Sequence, residues 1–191
     1  MKNEFYEYHS LKKMPIIFSN TVIKRTSFEH LHWHENIEVL LFCEGTSEIL
    51  VDDKILTADA GDIVVVNSSM LHCTRAISDL AKYYVLIIDE DFCEQLGFRI
   101  EERHVNAQIK DKRLFELIRD IECELDSERD YYYAGVIYRV IEILIILFRD
   151  YPADNTSYAP SKNIEMVKTA IKYAYGGLQR QLVRWSTAAV R

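Results

Sequence analysis

The stretch His32-Trp33-His34-Glu35-Asn36-Ile37-Glu38 decides the fold of this chain, together with a single later histidine, His72. In an extended strand, side chains two positions apart point to the same face, so His32, His34 and Glu38 share one side. Imidazole nitrogen and carboxylate oxygen are ligands that Zn, Ni, Fe and Mn accept. We therefore predict that His32, His34, Glu38 and His72 converge as a set of ligands for a divalent transition metal.

The same four residues have a second interpretation, as the polar lining of a pocket for a sugar-sized organic ligand without metal. Apolar walls with a few polar groups are the usual composition of such a site. Phe28, Phe42 and Met70 are the apolar candidates, and their alternative role is ordinary barrel core. The alternative for His30 is a loop histidine at the rim of the barrel. The predicted ligand-binding residues are Phe28, His30, His32, His34, Glu38, Phe42, Met70 and His72.

The length and composition of the chain are sufficient for a packed hydrophobic core. The 191 residues are 49% apolar, enough for one good-sized domain or one domain plus a fragment. The longest apolar segment, residues 136–148, is interrupted by Arg139 and Glu142, and is too short and too charged to span a bilayer. The N-terminus carries acids and no apolar signal region, so we expect a cytoplasmic protein with no membrane partner.

The net charge of −7 is unevenly distributed along the chain. Residues 161–191 carry a net charge of +5, and residues 1–160 carry −12. An acidic body is poor at gathering phosphates, so the main domain is not expected to bind nucleic acid.

From residue 15 to about residue 89, short apolar runs alternate with turn residues. The candidate strands are 16–18, 21–28, 37–43, 47–51, 54–57, 62–66, 72–77 and 83–88. Asp52-Asp53 predicts a tight hairpin turn, and Gly45 and Gly61 fall where the chain must reverse. Eight short strands without an intervening helix are typical of a β-sandwich or barrel.

After these strands the apolar residues take up a helical period. Those between Leu114 and Leu125 recur every three or four positions, which predicts an amphipathic helix of about four turns. A second helix, predicted over residues 131–149, is apolar on two sides and needs a cover on both. One cover is most simply a second copy of the chain, and the alternative is a helix wholly buried within one subunit. The predicted dimer interface is Val136, Val140, Ile143 and Leu147.

Two motifs resemble the signature motifs of the cupin superfamily, small β-barrels in which three histidines and one glutamate hold a metal. The first is His32-x-His34-x3-Glu38-x6-Gly45, and the second is Gly61-Asp62-x4-Asn67-x4-His72. The second departs from the cupin pattern at Asn67, Ser69 and Ala76, which are turn and barrel positions rather than ligands. The departure leaves the metal set intact and weakens assignment to an enzyme subfamily.

The order of elements over about residues 15–175 is similar to AraC-type bacterial transcription regulators. The resemblance implies a cupin (jelly-roll) double-stranded β-barrel followed by a two-helix dimerisation unit, a mainly β fold with C-terminal helices. It implies a barrel that senses a small-molecule effector, a homodimer formed through the helices, and DNA binding only through a helix-turn-helix domain. Many regulators of this type bind organic ligands without metal.

These observations predict six regions. They are an N-terminal arm (1–14), the cupin barrel (15–110), a helical dimerisation unit (111–150), a linker (151–160), the first helix of a missing helix-turn-helix domain (161–175) and a tail (176–191). The tail does not continue the family pattern. It is interpreted either as non-native sequence after a truncation or frameshift, or as a basic segment that binds DNA or a partner.

Two further classes of function fit parts of the sequence. The ligand quartet also suits a small metal-dependent cupin enzyme of the dioxygenase, isomerase or decarboxylase type, in which the metal activates oxygen or polarises a carbonyl. A carbohydrate-binding module fits the barrel and leaves the terminal helix unexplained. The helices and the linker favour the non-enzymatic regulator domain, because a catalytic cupin has no need of them.

Overall fold

The computed structural model describes residues 14–27, 29–153 and 166, and its strands form two antiparallel sheets. The strands are β1 (Ile16–Lys24), β2 (Ile37–Glu44), β3 (Thr46–Val51), β4 (Lys54–Asp59), β5 (Ile63–Val66), β6 (His72–Ala76), β7 (Leu80–Ile88) and β8 (Gln108–Ile109). The larger sheet has the order β1-β7-β2-β5-β8, and the smaller has the order β4-β3-β6.

Three helices follow or interrupt the last strands: α1 (Glu90–Gln95), α2 (Lys112–Ser127) and α3 (Tyr132–Asp150). Aspartate side chains cap the first two of them. Asp89 accepts a hydrogen bond from the Phe92 N–H at 3.0 Å, and Asp111 accepts one from the Arg113 N–H at 2.7 Å. Each cap satisfies a backbone donor that a helix N-terminus leaves without an intrahelical partner.

The larger sheet lies between two hydrophobic cores, because β2 is buried on both faces. Ile37, Val39 and Leu41 belong to the cluster that packs on the helices, and Leu40 and Phe42 belong to the cluster between the sheets. Alternation along the strand therefore gives each core its own set of side chains. Parity also places Glu38 on the barrel side.

The predicted fold class, mainly β with C-terminal helices, is confirmed. The prediction of separate strands at 16–18 and 21–28 is wrong, since residues 16–24 form one strand that pairs with β7 over its whole length. Ser19 and Asn20 resemble a turn in sequence, but they are exposed polar residues of an edge strand. The short elements α1 and β8 are not predicted.

The prediction that Val136, Val140, Ile143 and Leu147 form a dimer interface is wrong. All four side chains have 0% exposure within a single chain, where they belong to the core between the larger sheet and the helices. A second subunit can bury a side chain only if that side chain is exposed in the isolated subunit. The row is instead covered within the subunit, which was the alternative that periodicity left open.

Several predicted features lie outside the described residues. These are Phe28, the arm except Met14, the linker beyond residue 153, and the segments 161–175 and 176–191 except Met166. The six domain boundaries stay a prediction. Among the described residues, no helix combines the length and apolarity that a membrane span requires.

Asn67 joins the loop before β6 to a segment without regular strand structure. Its Nδ2 donates to the Val105 carbonyl oxygen at 2.9 Å, and its Oδ1 accepts from the Val105 N–H at 2.8 Å. Val105 also forms a β-bridge with Pro152, just after α3. The Asn67 side chain thus makes the two backbone hydrogen bonds that a neighbouring strand would make. Through Val105 it connects the barrel to the end of α3.

We expect Asn67→Ala to lower the free energy of unfolding by about 3 kcal/mol, because it leaves the buried Val105 N–H and carbonyl without these partners. Urea unfolding at constant pH measures the change. Asn106→Ala is the matched control, since the Asn106 side chain is exposed and only its backbone N–H is used in the contact with Tyr151. Equal stability of the two variants would contradict the structural role of Asn67.

Glu90 begins α1 beside other carboxylates. Its N–H donates to the Asn36 Oδ1 at 3.0 Å. Burial raises the pKa of the Glu90 carboxyl to about 7, helped by the hydrogen bond with Glu101 and by the negative charges of Glu101, Glu35 and Glu94. The folded protein therefore keeps a proton here at pH values where the unfolded chain has lost it.

We expect Glu90 to make the folded state less stable as the pH rises from about 4.5 to about 7. Over this window the unfolded carboxyl ionises first, so the folded state binds more protons and loses stability with rising pH. Glu90→Gln should flatten this part of the dependence and be more stable than the wild type at pH 8. Thermal unfolding across pH 4 to 8 measures the slope, with the exposed Asp130→Asn as control. An unchanged slope in Glu90→Gln would refute the assignment.

Candidate metal centre

Three chain segments bring the predicted ligands together. Glu38 lies near the start of β2, and His72 is the first residue of β6. The irregular segment before β2 runs alongside β6, because the His32 N–H donates to the His72 carbonyl at 3.0 Å and the His72 N–H donates to the His32 carbonyl at 2.8 Å. This backbone bridge holds the second motif against the first.

The four ligand-type side chains form one cluster in the barrel. One potential ligand atom from each of His32, His34, Glu38 and His72 lies within 4.8 Å of all the others. The Oε2 of Glu38 is 3.0 Å from the Nε2 of His34 and 3.2 Å from the Nε2 of His72. Three of the residues are buried, with 1% exposure for His34 and His72 and 4% for Glu38. His32 is partly exposed, and its ring is tilted by 54° against the His72 ring, with the two centroids 4.1 Å apart.

Backbone carbonyls fix the protonation of each imidazole on its Nδ1 side. The Nδ1 of His32 lies 2.8 Å from the His30 carbonyl, that of His34 lies 3.2 Å from the Asn36 carbonyl, and that of His72 lies 2.8 Å from the Met70 carbonyl. A carbonyl oxygen only accepts, so each Nδ1 carries the proton. In a neutral imidazole the Nε2 then has the lone pair, which is the form that binds a metal.

The Glu38 carboxylate is stabilised in its charged form despite its burial. Burial alone would raise the pKa of Glu38, but the positive charge of His72 and hydrogen bonds from His34 and His72 outweigh it and hold the pKa below its usual range. Burial would likewise lower the pKa of His72, and the Glu38 charge raises it above the ordinary histidine value. The site therefore favours a negative carboxylate beside a positive charge.

The donor set fits a divalent transition metal. With the proton on Nδ1, the Nε2 lone pairs of neutral His34 and His72 would face the lone pairs of the Glu38 oxygen, which is repulsive. A cation between them, either a proton or a metal ion, removes this repulsion. Three imidazoles and one carboxylate are ligands shared by Zn, Ni, Fe and Mn sites.

The other predicted ligand-binding residues lie at different depths around this cluster. Phe42 and Met70 are buried in the core between the sheets, at 0% and 5% exposure. His30 has an exposed side chain at the rim and uses its carbonyl to orient His32. Phe28 lies outside the described residues. A direct role of these residues in ligand binding stays a prediction.

A second group of polar side chains in the barrel is not predicted from the sequence. The Tyr83 hydroxyl donates to the Oε1 of Glu29 at 2.7 Å, and the buried Thr74 lies on the same face of β6 as His72. Strand alternation requires one of Tyr83 and Tyr84 to face inward without saying which. The structure turns Tyr83 to the barrel and Tyr84 to α2, where its hydroxyl donates to Glu122 at 2.7 Å.

Comparisons with known proteins agree with this architecture. A family model described as an AraC-like ligand binding domain matches residues 24–133. No curated protein sequence matches the chain.

Solved structures with a partial similarity to the chain include three proteins. An RmlC-like cupin family protein from Methanocaldococcus jannaschii has a TM-score of 0.38 at 17% identity, covering 43% of this chain and 75% of that one. A Cupin 2 conserved barrel domain protein from Salinispora arenicola has a TM-score of 0.39 at 19% identity, covering 49% and 79%. An oxalate decarboxylase from Bacillus subtilis, with Mn(II) centres, has a TM-score of 0.38 at 18% identity, covering 47% and 30%.

The family model covers more than half of the 191 residues and includes all four residues of the His/Glu cluster. On this match, the chain belongs to the family of AraC-like ligand-binding domains.

Proposed function

We propose that this domain binds a small-molecule effector in its barrel and passes the bound state to its C-terminal helices, as the sensor of a transcription regulator. The cluster of His32, His34, Glu38 and His72 carries the proposal, because it places polar and charged groups beside the apolar core of the barrel. Apolar walls with a few converging polar groups are what a small-molecule site requires. DNA would be contacted through a separate helix-turn-helix domain.

A divalent transition metal is part of this proposal. The Nε2 atoms of His34 and His72 and the Oε2 of Glu38 would hold it, with His32 closing the site from the partly exposed side. A bound metal supplies a Lewis-acid centre to which an oxygen-bearing effector can coordinate. The carbonyls of Asn36 and Met70 keep the two buried imidazoles oriented for this role.

A sugar or similar polyhydroxylated compound is the effector class that we propose. The barrel side of the site offers hydrogen-bonding groups from Glu29, Thr74 and Tyr83 beside the aromatic ring of Phe42, whose centroid lies 5.1 Å from that of Tyr83. Aromatic faces with hydrogen-bonding groups around them suit the mixed apolar and polar surfaces of a small polyhydroxylated molecule.

We propose dimerisation through the outer side of α3. The buried row of α3 is used within the subunit, but Ile137, Ile141 and Ile145 on the next row are only partly buried. Tyr138, beside this row, is 64% exposed, and Tyr133 near the start of the helix is 43% exposed. A stripe of large apolar side chains at helical spacing suits a two-fold contact with a second copy.

Hydrogen bonds joined by short backbone segments connect the metal centre to the end of α3. His72 donates to the Met70 carbonyl, in the loop that Asn67 connects to Val105. On either side of Val105, the Asn106 N–H donates to Tyr151 at 2.9 Å and the Ala153 N–H donates to His104 at 2.9 Å. We propose this path as the route by which effector binding changes the position of the segment that follows α3.

A metal-dependent cupin enzyme is the second candidate function. The observation in its favour is the complete set of three histidines and one glutamate brought together in the barrel. It differs from the sensor proposal in requiring turnover of the bound molecule. Incubation of the metal-loaded protein with a bound compound, followed by mass spectrometry, separates the two, because a sensor returns its ligand unchanged.

We expect the protein purified without chelators to bind Zn²⁺ or Mn²⁺ in a one-to-one ratio, and His72→Ala to weaken this binding by more than about 100-fold. Loss of a direct ligand should exceed the effect of removing an outer partner, which is about 10- to 100-fold. Titration calorimetry and elemental analysis measure both quantities. His30→Ala is the control, because the exposed His30 side chain lies outside the cluster while its carbonyl is retained. Wild-type protein that takes up neither ion would remove the metal from the proposal.

We expect the domain to be a dimer at micromolar concentration, and Tyr138→Glu to shift it towards monomer. The substitution places a charge beside the apolar row of the proposed contact while leaving the subunit core intact, since Tyr138 is mostly exposed. Light scattering coupled to size exclusion measures the mass. Ile55→Glu is the matched control, because Ile55 is 67% exposed on β4, away from the helices. A wild-type monomer would contradict the dimer.

A further inference from the structure

A partly apolar surface lies on α1 and the turn that follows it. Leu96, which ends α1, is 42% exposed, and the side chains of Phe92 and Phe98 are only partly buried. The Phe98 N–H donates to the Cys93 carbonyl at 2.9 Å, which folds the turn back onto the helix. This region, residues 90–101, is named the α1 surface, and it presents large apolar groups that the described part of the chain leaves partly uncovered.

Carboxylates surround these apolar groups. Residues 89–103 contain six acidic residues and two arginines, which gives a net charge of −4. One of the arginines, Arg99, is already paired with Glu102 at 3.1 Å. Burial raises the pKa of Glu90 to about 7, together with a hydrogen bond to Glu101 and the negative charges of the neighbouring glutamates. A segment that covers this surface is therefore favoured if it carries positive charges.

The end of α3, from which the chain continues, lies beside the α1 surface. The centroid of the Phe98 ring is 5.5 Å from that of the Phe148 ring on α3. Just after the helix, the Ala153 N–H donates to the His104 carbonyl at 2.9 Å. Residue 161 follows eight positions later, and eight residues span up to about 27 Å. The intervening chain is long enough to bring the next segment onto the α1 surface.

The sequence of residues 161–175 complements this surface in apolar pattern and in charge. The helix predicted there has Ile164, Val167 and Ile171 on one side, and the segment carries three lysines against one glutamate. Two of the lysines directly follow apolar residues of that row. Met166, the one described residue of the segment, falls away from the row in the predicted helix and is 68% exposed. An apolar row beside lysines matches an apolar surface beside carboxylates.

We propose that residues 161–175 dock on the α1 surface of the same chain, with Lys168 and Lys172 facing Glu94 and Glu101. The inference rests on the proposed sensor function, in which this segment begins the part that contacts DNA. It names the contact that holds that part against the sensor domain.

The start of α1 connects this docking surface to the metal centre. The Glu90 N–H donates to the Asn36 Oδ1 at 3.0 Å, and the Asn36 carbonyl accepts from the His34 imidazole. A displacement of His34 therefore changes the support of α1, and with it the surface on which the segment docks.

The test is hydrogen exchange of the full chain, with mass spectrometry of peptides from residues 161–175. We expect their amides to exchange at least about tenfold more slowly in the wild type than in Glu94→Lys/Glu101→Lys, which reverses the charge of the surface. Adding Lys168→Glu/Lys172→Glu to that variant restores opposite charges. The combined variant should return to within about threefold of the wild-type exchange rate, as expected of residues that interact directly.

Asp126→Lys/Asp130→Lys is the matched control, since both carboxylates are exposed near the turn that joins α2 to α3. It should leave the exchange unchanged, and an equal loss of protection in this control would overturn the docking. Equal exchange in the wild type and the charge-reversed variant would also overturn it. Protection that disappears together with a dimer in Tyr138→Glu would assign the contact to a second copy and overturn the contact within one chain.

A Zn²⁺ titration of the same proteins monitors the metal centre separately from the docked segment. We expect Glu94→Lys/Glu101→Lys to bind Zn²⁺ as the wild type does while losing the protection of residues 161–175. A wild type that binds Zn²⁺ without protecting the segment would overturn the docking and leave the effector site standing. A wild type that protects the segment without binding Zn²⁺ would support the docking and contradict only the metal of the proposed function.

Discussion

The contact between the Glu38 carboxylate and the His34 and His72 imidazoles is the constraint on which the rest of the site depends. A carboxylate at 4% exposure loses most of its hydration, and a buried charge is tolerated only beside a partner of opposite charge. The two Nε2 atoms at 3.0 and 3.2 Å supply that partner once a cation is present. The carbonyls behind the rings fix which nitrogen faces Glu38, so the backbone sets the chemistry of the centre.

The backbone segments whose carbonyls orient the imidazoles also make hydrogen bonds to the helical part of the molecule. The carbonyl of Asn36 accepts from His34, and the Asn36 side chain accepts from the first N–H of α1. On the opposite side of the site, Asn67 begins the loop that carries the Met70 carbonyl and also bonds Val105. A movement of either imidazole therefore strains a contact with the helical part of the molecule. This shared use of the loops gives the sensor proposal a physical basis in packed, hydrogen-bonded structure.

Residue spacing predicts the ligand cluster, because strand alternation and motif spacing depend on local geometry. Positions 38, 40 and 42 face the barrel as alternation requires, and His72 meets them through a backbone bridge. Periodicity cannot tell which apolar row of α3 is covered by its own subunit. The rows that begin at Val136 and Ile137 have the same helical spacing of apolar residues. Glu29 is missed because the segment 29–32 has no strand period. The orientation of Tyr83 depends on partners distant in sequence, Glu29 and Phe42, which no local pattern contains.

The register of β2 connects these observations, because a slip by one residue would exchange its two faces. The slip would turn Ile37, Val39 and Leu41 towards the metal centre and place Glu38 in the apolar core under the helices. The carboxylate would then lie among the apolar side chains of that core and lose its contacts with His34 and His72. The free energy needed to bury the Glu38 carboxylate in the core under the helices is far greater than the free energy needed to expose one methyl group to water. Glu38, the buried charged residue of β2, thus specifies the register, and the register in turn assigns the opposite face of β2 to the helices.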